Sequence, residues 1–222
     1  MDDPTLHHDS HDSALRALGR INRISRSLER IIKTVQKKAT SIKSSHLKVL
    51  DIASGGGDLA LGLSKYAKHH GLSWEVHGAD ISQHAVDYAN EKARELQVNT
   101  EFFRLDAVNQ PLPSDYDVIM SHLFIHHLSE EEVSKLFENM GRSVRQLILI
   151  DDLIRSNTGY WMAWMGCRLV TRSKVVHHDG PASVKSAFRI QEIAQIANQS
   201  GLLNHQITKH WPERFMMTWS PK

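Results

Sequence analysis

An open, doubly wound α/β sheet is predicted by three features of the chain. Short apolar segments, partly β-branched, alternate with stretches of 3.6-residue apolar period from Leu47 to Asp152. Such alternation requires parallel strand pairing with crossover helices. A run of three glycines, Gly55 to Gly57, separates the first strand from the first helix of the series, and the first three strands each end in an acid.

The elements follow in order. Leu15, Leu18, Ile21, Ile24, Leu28, Ile31, Ile32 and Val35 recur at three- and four-residue spacing with arginines and lysines between them, a basic amphipathic helix after a polar first dozen residues. Strands are predicted at Leu47 to Ala53, Trp74 to Asp80, Thr100 to Leu105, Tyr116 to Ser121 and Leu147 to Asp151. Helices are predicted at Leu59 to His69, Gln83 to Leu96 and Glu130 to Met140, where Ser82 and Ser129 serve as N-caps and Ser129 with Glu132 forms a capping box. Regularity lapses beyond Asp152 for a stretch too long to be a plain connection, and residues 153–188 are read as a lid insertion. Within it, Tyr160 to Val170 gathers aromatic and methionine side chains suited to an apolar pocket, or to the packing of a short helix. A helix at Ile190 to Ser200 and two strands, Leu203 to Lys209 and Arg214 to Trp219, complete the chain, the strands as an antiparallel hairpin on the sheet edge. The organisation is thus an acidic tail and basic cap helix in residues 1–46, followed by one α/β domain in 47–222.

Composition narrows the class. In 222 residues with 41% hydrophobic and 23% charged side chains, one globular core is expected. The single cysteine, Cys167, excludes an internal disulfide and a cysteine-rich zinc site. No uncharged apolar run approaches the roughly 18 residues of a membrane span, and the acidic N-terminus is unlike a signal peptide, so a cytoplasmic protein is expected. Residues 1–43 carry nine basic residues against five acidic ones, while the remainder is net acidic. The main body is therefore no nucleic-acid platform, and any attraction to RNA or an anionic membrane falls to the N-terminal helix.

The chemistry concentrates at the strand tips. In Val49-Leu-Asp-Ile-Ala-Ser-Gly-Gly-Gly-Asp58 the glycines leave bare backbone amides where a ligand can approach, above a carboxylate, Asp51. The spacing departs from the pyrophosphate pattern, and an acid here repels phosphate, so the loop suits a ligand with a positive amine. Asp80 at the second strand tip can accept both hydroxyls of a ribose, and Asp106 at the third can accept from an adenine amine.

Residues 47–152 resemble the class I S-adenosylmethionine-dependent methyltransferases. The likeness rests on Leu50-Asp-Ile-Ala-Ser-Gly-Gly-Gly-Asp58, Gly78-Ala-Asp-Ile-Ser82, Asp106-Ala107 and Tyr116-Asp-Val-Ile-Met-Ser-His-Leu-Phe-Ile-His-His-Leu128, with Ala53 where the family pattern has its first glycine. It implies a Rossmann-like seven-stranded sheet and S-adenosylmethionine as cofactor. It also implies a site in which Asp51 and Gly55 hold the methionine end, Asp80 the ribose, and Asp106 with Ala107 the adenine, with Ala53, Gly57, Ile81 and Ser121 among the cofactor-binding residues. Gly19-Arg-Ile-Asn-Arg23, Arg172-Ser-Lys-Val-Val-His-His-Asp-Gly-Pro-Ala-Ser-Val184 and Trp211-Pro-Glu-Arg-Phe215 are similar to bacterial small-molecule methyltransferases of polyketide and related natural-product pathways.

Methyl transfer from a sulfonium needs alignment, a dry pocket and, for an oxygen acceptor, a base. His126 and His127 after the fourth strand, and His177 and His178 in the lid, are the candidate bases, each also readable as structural. His122 and His126 at i, i+4 admit a zinc reading, but no third ligand is apparent and no metal is expected. Asp151 and Asp152 are read as solvated strand-end acids, with orientation of a base or metal binding as alternatives. The reading reached is methylation of a small, largely apolar acceptor at oxygen, phenolic or enolic. RNA methylation through the basic helix, and a non-catalytic cofactor-binding module acting as partner or sensor, are the alternatives. The oligomeric state stays open.

Overall fold

The computed structural model describes residues 26–170 and 174–221. Its elements are α1 (Ser27–Ser41), β1 (His46–Ile52), α2 (Asp58–His69), β2 (Ser73–Asp80), α3 (Gln83–Glu95), β3 (Thr100–Arg104), β4 (Val118–His122), a 3₁₀ turn (Ile125–His127), α4 (Glu130–Ser143), β5 (Leu147–Leu153), α5 (Asn157–Val170), α6 (Lys174–Ser186), α7 (Ile190–Gln199), β6 (Gln206–His210) and β7 (Arg214–Trp219). One seven-stranded sheet runs in the order β3-β2-β1-β4-β5-β7-β6. The first five strands are parallel, while β7 pairs antiparallel with both β5 and β6. The strand order reverses at β1 and β4, which leaves a crevice at their C-terminal ends where ligands bind in such sheets.

Each face of the sheet has its own core. Leu50, Ile52, Ile119, Ile148, Ile150 and Met217 pack beneath α4 and α7, with Phe137, Met140 and Ile193 among the helix residues. Their neighbours Leu47, Val49, Val118, Met120, Leu149 and Met216 face the other way, toward α1 and α2. This is the period-two alternation of strand side chains, and both sets are apolar because helices cover both faces. Ile31, Ile32 and Val35 of α1 are buried in the second core, and Thr34 Oγ1 donates to Met216 Sδ at 3.4 Å. The predicted stretch from Leu15 to residue 25 lies outside the described residues.

The predicted caps at Ser82 and Ser129 are in place. Ser82 Oγ accepts from the Ala85 N–H, and Ser129 with Glu132 forms the reciprocal box. The irregular reading of residues 153–188 is corrected: the segment holds two helices, α5 and α6. Their signal was hidden because α5 has no polar face to set off an apolar stripe. Trp161, Met165 and Leu169 are exposed on it, as is Trp164, whose ring lies under Arg168. In α6, Gly180 and Pro181 break the helix pattern, yet the missing Cβ of Gly180 makes room for Cys167, whose Sγ would stand 2.3 Å from it. α6 packs against the 3₁₀ turn after β4.

Candidate active site

The turn from β1 into α2 is built on left-handed backbone. Ala53, Gly55 and Gly57 have φ of 53°, 51° and 75°. A Cβ on Gly57 would press on the Phe102 ring at 2.6 Å, so this glycine is required by packing. A Cβ on Gly55 would meet nothing within 4 Å: its surroundings are open to a ligand. Below the turn, Asp51 is 2% exposed and accepts from the Ala60 N–H at the start of α2. Burial raises its pKa well above the usual carboxylate range, the Ala60 bond opposes the rise, and the charge of Asp80 adds to it. Asp51 is thus a buried acid lacking a cation, and a positive amine on the ligand would supply one.

Asp80, at the tip of β2, accepts from the Gly55 N–H at 2.8 Å and the Ser82 N–H at 2.9 Å. Its carboxylate ties the glycine turn to the N-cap of α3 and stays partly exposed at the crevice. Ile81 beside it is 59% exposed, an apolar side chain at the mouth of the crevice. Asp106 follows β3 and closes a turn, accepting from the N–H groups of Val108 and Asn109 and from Asn109 Nδ2. The Asn109 side-chain bond chiefly holds its pKa below the usual range, against the opposing effect of burial. Ala107 is buried next to it. Ser121, opposite Ile52 in the β1–β4 register, is 1% exposed and its Oγ has no hydrogen-bond partner. Ser54 Oγ, in the glycine turn, is likewise buried and unpartnered. Two orphaned hydroxyls, an uncompensated acid and an open glycine fit the methionine end of S-adenosylmethionine.

The histidines separate. His126 is 5% exposed, and its Nδ1 lies 2.6 Å from Asp152 Oδ1, itself 1% exposed. Asp152 also accepts from the N–H groups of Phe124 and Leu153. Burial pushes the Asp152 pKa up, but the His126 charge and hydrogen bond outweigh it and hold the carboxyl below its usual range. The His127 ring lies against that of His126, centroids 4.1 Å apart and planes tilted by 38°. His177 is half-buried on α6, the helix that packs on this turn, whereas the His178 side chain is 86% exposed beside Asp179. Asp151 and Asp152 are not solvated strand ends: they are 0% and 1% exposed. As neighbours on β5 they point to opposite faces. Asp152 serves His126, while Asp151 lies 2.8 Å from His210 Nε2 and 3.7 Å from His122 Nε2. His122 and His126 thus attend different acids, and no three His, Cys, Asp or Glu among the described residues are grouped to hold a metal. His210 and Arg214 are buried here but were missed in the sequence. Arg214 stands within the Trp211-Pro-Glu-Arg-Phe215 likeness without a role assigned to it, and a strand-end histidine carries no motif.

An open sheet with a crevice at its topological switch point defines the class of α/β domains that bind a nucleoside-type ligand at their strand ends. Residues 49–146 match the family model described as a methyltransferase domain. An uncharacterised methyltransferase of Schizosaccharomyces pombe is 25% identical over 181 residues, which are 72% of this chain and 60% of that protein. The chain thus spans about 60% of the length of this curated relative. Among solved structures, a SAM-dependent methyltransferase from Aquifex aeolicus superposes with a TM-score of 0.67 at 20% identity, over 94% of this chain and 97% of that one. The plantazolicin methyltransferase in complex with SAH gives 0.70 at 16% identity, over 100% and 92%. At such identities these two establish the fold. No helix among the described residues is long and apolar enough to cross a membrane.

Proposed function

We propose that this chain moves a methyl group from S-adenosylmethionine to an oxygen of a small, largely apolar acceptor, phenolic or enolic, with His126 as the base. The observation that carries the reading is the buried 2.6 Å pair of His126 Nδ1 and Asp152 Oδ1, beside the crevice and directly after β4. In this reading Asp51, Ala53, Gly55, Gly57 and Ser121 surround the methionine end, Asp80 and Ile81 the ribose, and Asp106 and Ala107 the adenine. The cofactor supplies an electrophilic methyl for in-line displacement. The rest of the work falls to the chain. Asp152, fixed by the Phe124 and Leu153 amides, accepts the Nδ1–H of His126 and sets the tautomer in which Nε2 takes a proton. α1 serves as a cap, and α5 and α6 as a lid that excludes water; α6 lies against the histidine turn. The plantazolicin methyltransferase, whose fold spans all of this chain, supports a small-molecule acceptor.

The test has two stages. Cell extract is incubated with the protein and methyl-labelled S-adenosylmethionine, and the labelled product is identified. With that acceptor, His126→Gln should lose about 10²-fold or more in kcat, and its residual rate should recover as pH rises toward the acceptor pKa, where the hydroxyl ionises unaided. A His126→Gln enzyme with the wild-type rate and pH profile removes His126 as base. Label appearing on carbon removes the oxygen reading.

A further inference from the structure

Helix α5 is apolar on more sides than its neighbours cover. It packs on α6, with Cys167 buried against Gly180, yet Trp161, Met165 and Leu169 are more than half exposed and Trp164 over a third. These four stand at i, i+3, i+4 and i+8, on one side of the helix, and span about 12 Å of its length. A contiguous exposed patch that holds two tryptophans marks an interaction surface. Arg168, stacked on the Trp164 ring, is the charge at its C-terminal end.

The chain carries a segment of matching kind just before α1. The sequence predicts one helix through Val35, but Arg26 has φ of 56°, a left-handed residue that ends α1 and turns the preceding chain off its axis. The residues before it lie outside the described part, and their sequence has a helical pattern of its own. At about 100° per residue, Ala14, Ala17, Leu18, Ile21 and Ile24 fall on one side and Arg16, Arg20 and Arg23 on the other. Ile31, Ile32 and Val35 serve the second core, so the earlier stripe needs a partner of its own, the more so because a helix this short is marginal alone. Both α1 and α5 start at the same place. Arg214 Nη1 donates to Ser27 Oγ at 2.7 Å in the first turn of α1, and Glu213 beside it accepts from Ser156 Oγ, which caps α5 by accepting from the Gly159 N–H. A helix of about ten residues leaving Arg26 covers about 15 Å, enough to run the length of the patch antiparallel to α5. Asp9 and Asp12 then come to the end that carries Arg168.

We propose that residues 14–24 form a helix that docks on the exposed face of α5, with Leu18 and Ile21 against Trp161, Trp164 and Met165 and the arginines toward solvent. Attachment to α1 favours this occupant over a free one, because a short tether gives an effective concentration of the order of millimolar. The docking does not depend on the methyltransferase reading. Where that reading holds, it joins the lid to the cap and fastens both to the sheet through Ser27 and Arg214.

The full chain is made with 5-fluorotryptophan and carries a nitroxide on Arg20→Cys, a position on the polar side of the segment. Cys167 is buried, and burial raises its thiol pKa, so it does not compete for the reagent; the wild-type chain taken through the same labelling checks this. The fluorine signals of Trp161 and Trp164, assigned from Trp→Phe variants, should be lost to the nitroxide and recovered when ascorbate reduces it. Trp74, in the second core at the far end of the sheet, should keep its signal throughout. Adding Ile21→Glu, which sets a charge against the tryptophans, should abolish the loss while the thermal transition stays native. Signals that survive the nitroxide, or a loss that Ile21→Glu leaves in place, overturn the docking. So does a loss seen only when nitroxide and fluorine are on different molecules, which marks a second copy, or a response of the two tryptophans only to phosphatidylglycerol vesicles, which marks a lipid surface. Calorimetry of the same protein with S-adenosylhomocysteine tests the methyltransferase reading separately.

Discussion

Ala53 sits at φ 53°, a left-handed conformation that a Cβ disfavours, in the position where the family pattern has glycine. Left-handed backbone costs an L-residue roughly 1–2 kcal/mol, and glycine loses about 0.5–1 kcal/mol more entropy on folding than alanine. Relief of strain exceeds the entropic loss, so Ala53→Gly should stabilise the fold by about 0.5–1 kcal/mol in urea unfolding. A variant no more stable than wild type would mean that packing of the methyl group offsets the strain. At this scale much of the site was legible. Asp51, Asp80, Gly55 and Gly57 announce themselves because strand ends and turns restrict which residues can stand there. Asp151 and Asp152 were misjudged because two adjacent acids at a strand end read as solvated. Their burial depends on His126 from the β4 loop and on His210 and Arg214 from the far hairpin, partners that sequence spacing cannot bring together.

At the scale of elements, the crevice depends on how closely β2 approaches the glycine turn. Gly78 is the point of contact: a Cβ there would lie 2.3 Å from the Phe102 ring and 2.9 Å from Ser54 Oγ. Phe102 is 3% exposed in β3, and its ring also fills the space over Gly57, so it has little room to retreat. Gly78→Ala should therefore destabilise by about 1–3 kcal/mol, and Phe102→Leu in the same chain should restore part of that loss. Additive losses in the double variant, read by denaturant midpoints, would show that the ring is not what confines Gly78. The strands and helices of residues 47–152 were legible because short apolar, partly β-branched runs alternate with stretches of 3.6-residue period. α5 and α6 were not. One carries exposed tryptophans and the other an internal Pro181, so neither shows an amphipathic stripe, and their helicity follows from neighbours.

The molecule as a whole holds titratable groups in its interior whose effects on stability oppose one another. His122 has its pKa lowered from 6.5 to about 4, first by burial, then against the Asp151 charge and with that of Arg214. Between these values the unfolded chain binds a proton that the folded chain does not. The stability linked to His122 is thus fully present above about pH 6.5 and is lost as pH falls toward 4, by about 3 kcal/mol in all. Asp51 acts in the other sense. Its folded pKa is raised, so its contribution is present below 3.8 and lost as pH rises through the folded value. A simple stability profile mixes the two, and a comparison separates them. His122→Gln removes one titration and leaves the other, since neither group is among the charges that shift the other: Asp80 acts on Asp51, while Asp151, Arg214, Asp152 and His126 act on His122. Unfolding free energies measured by urea from pH 7 to pH 4 should show the variant gaining about 3 kcal/mol on wild type as pH falls, whatever its deficit at pH 7. The gain should be concentrated below pH 6.5. A difference between the two proteins that stays flat over this range would mean that His122 takes up its proton in the folded state as readily as in the unfolded one.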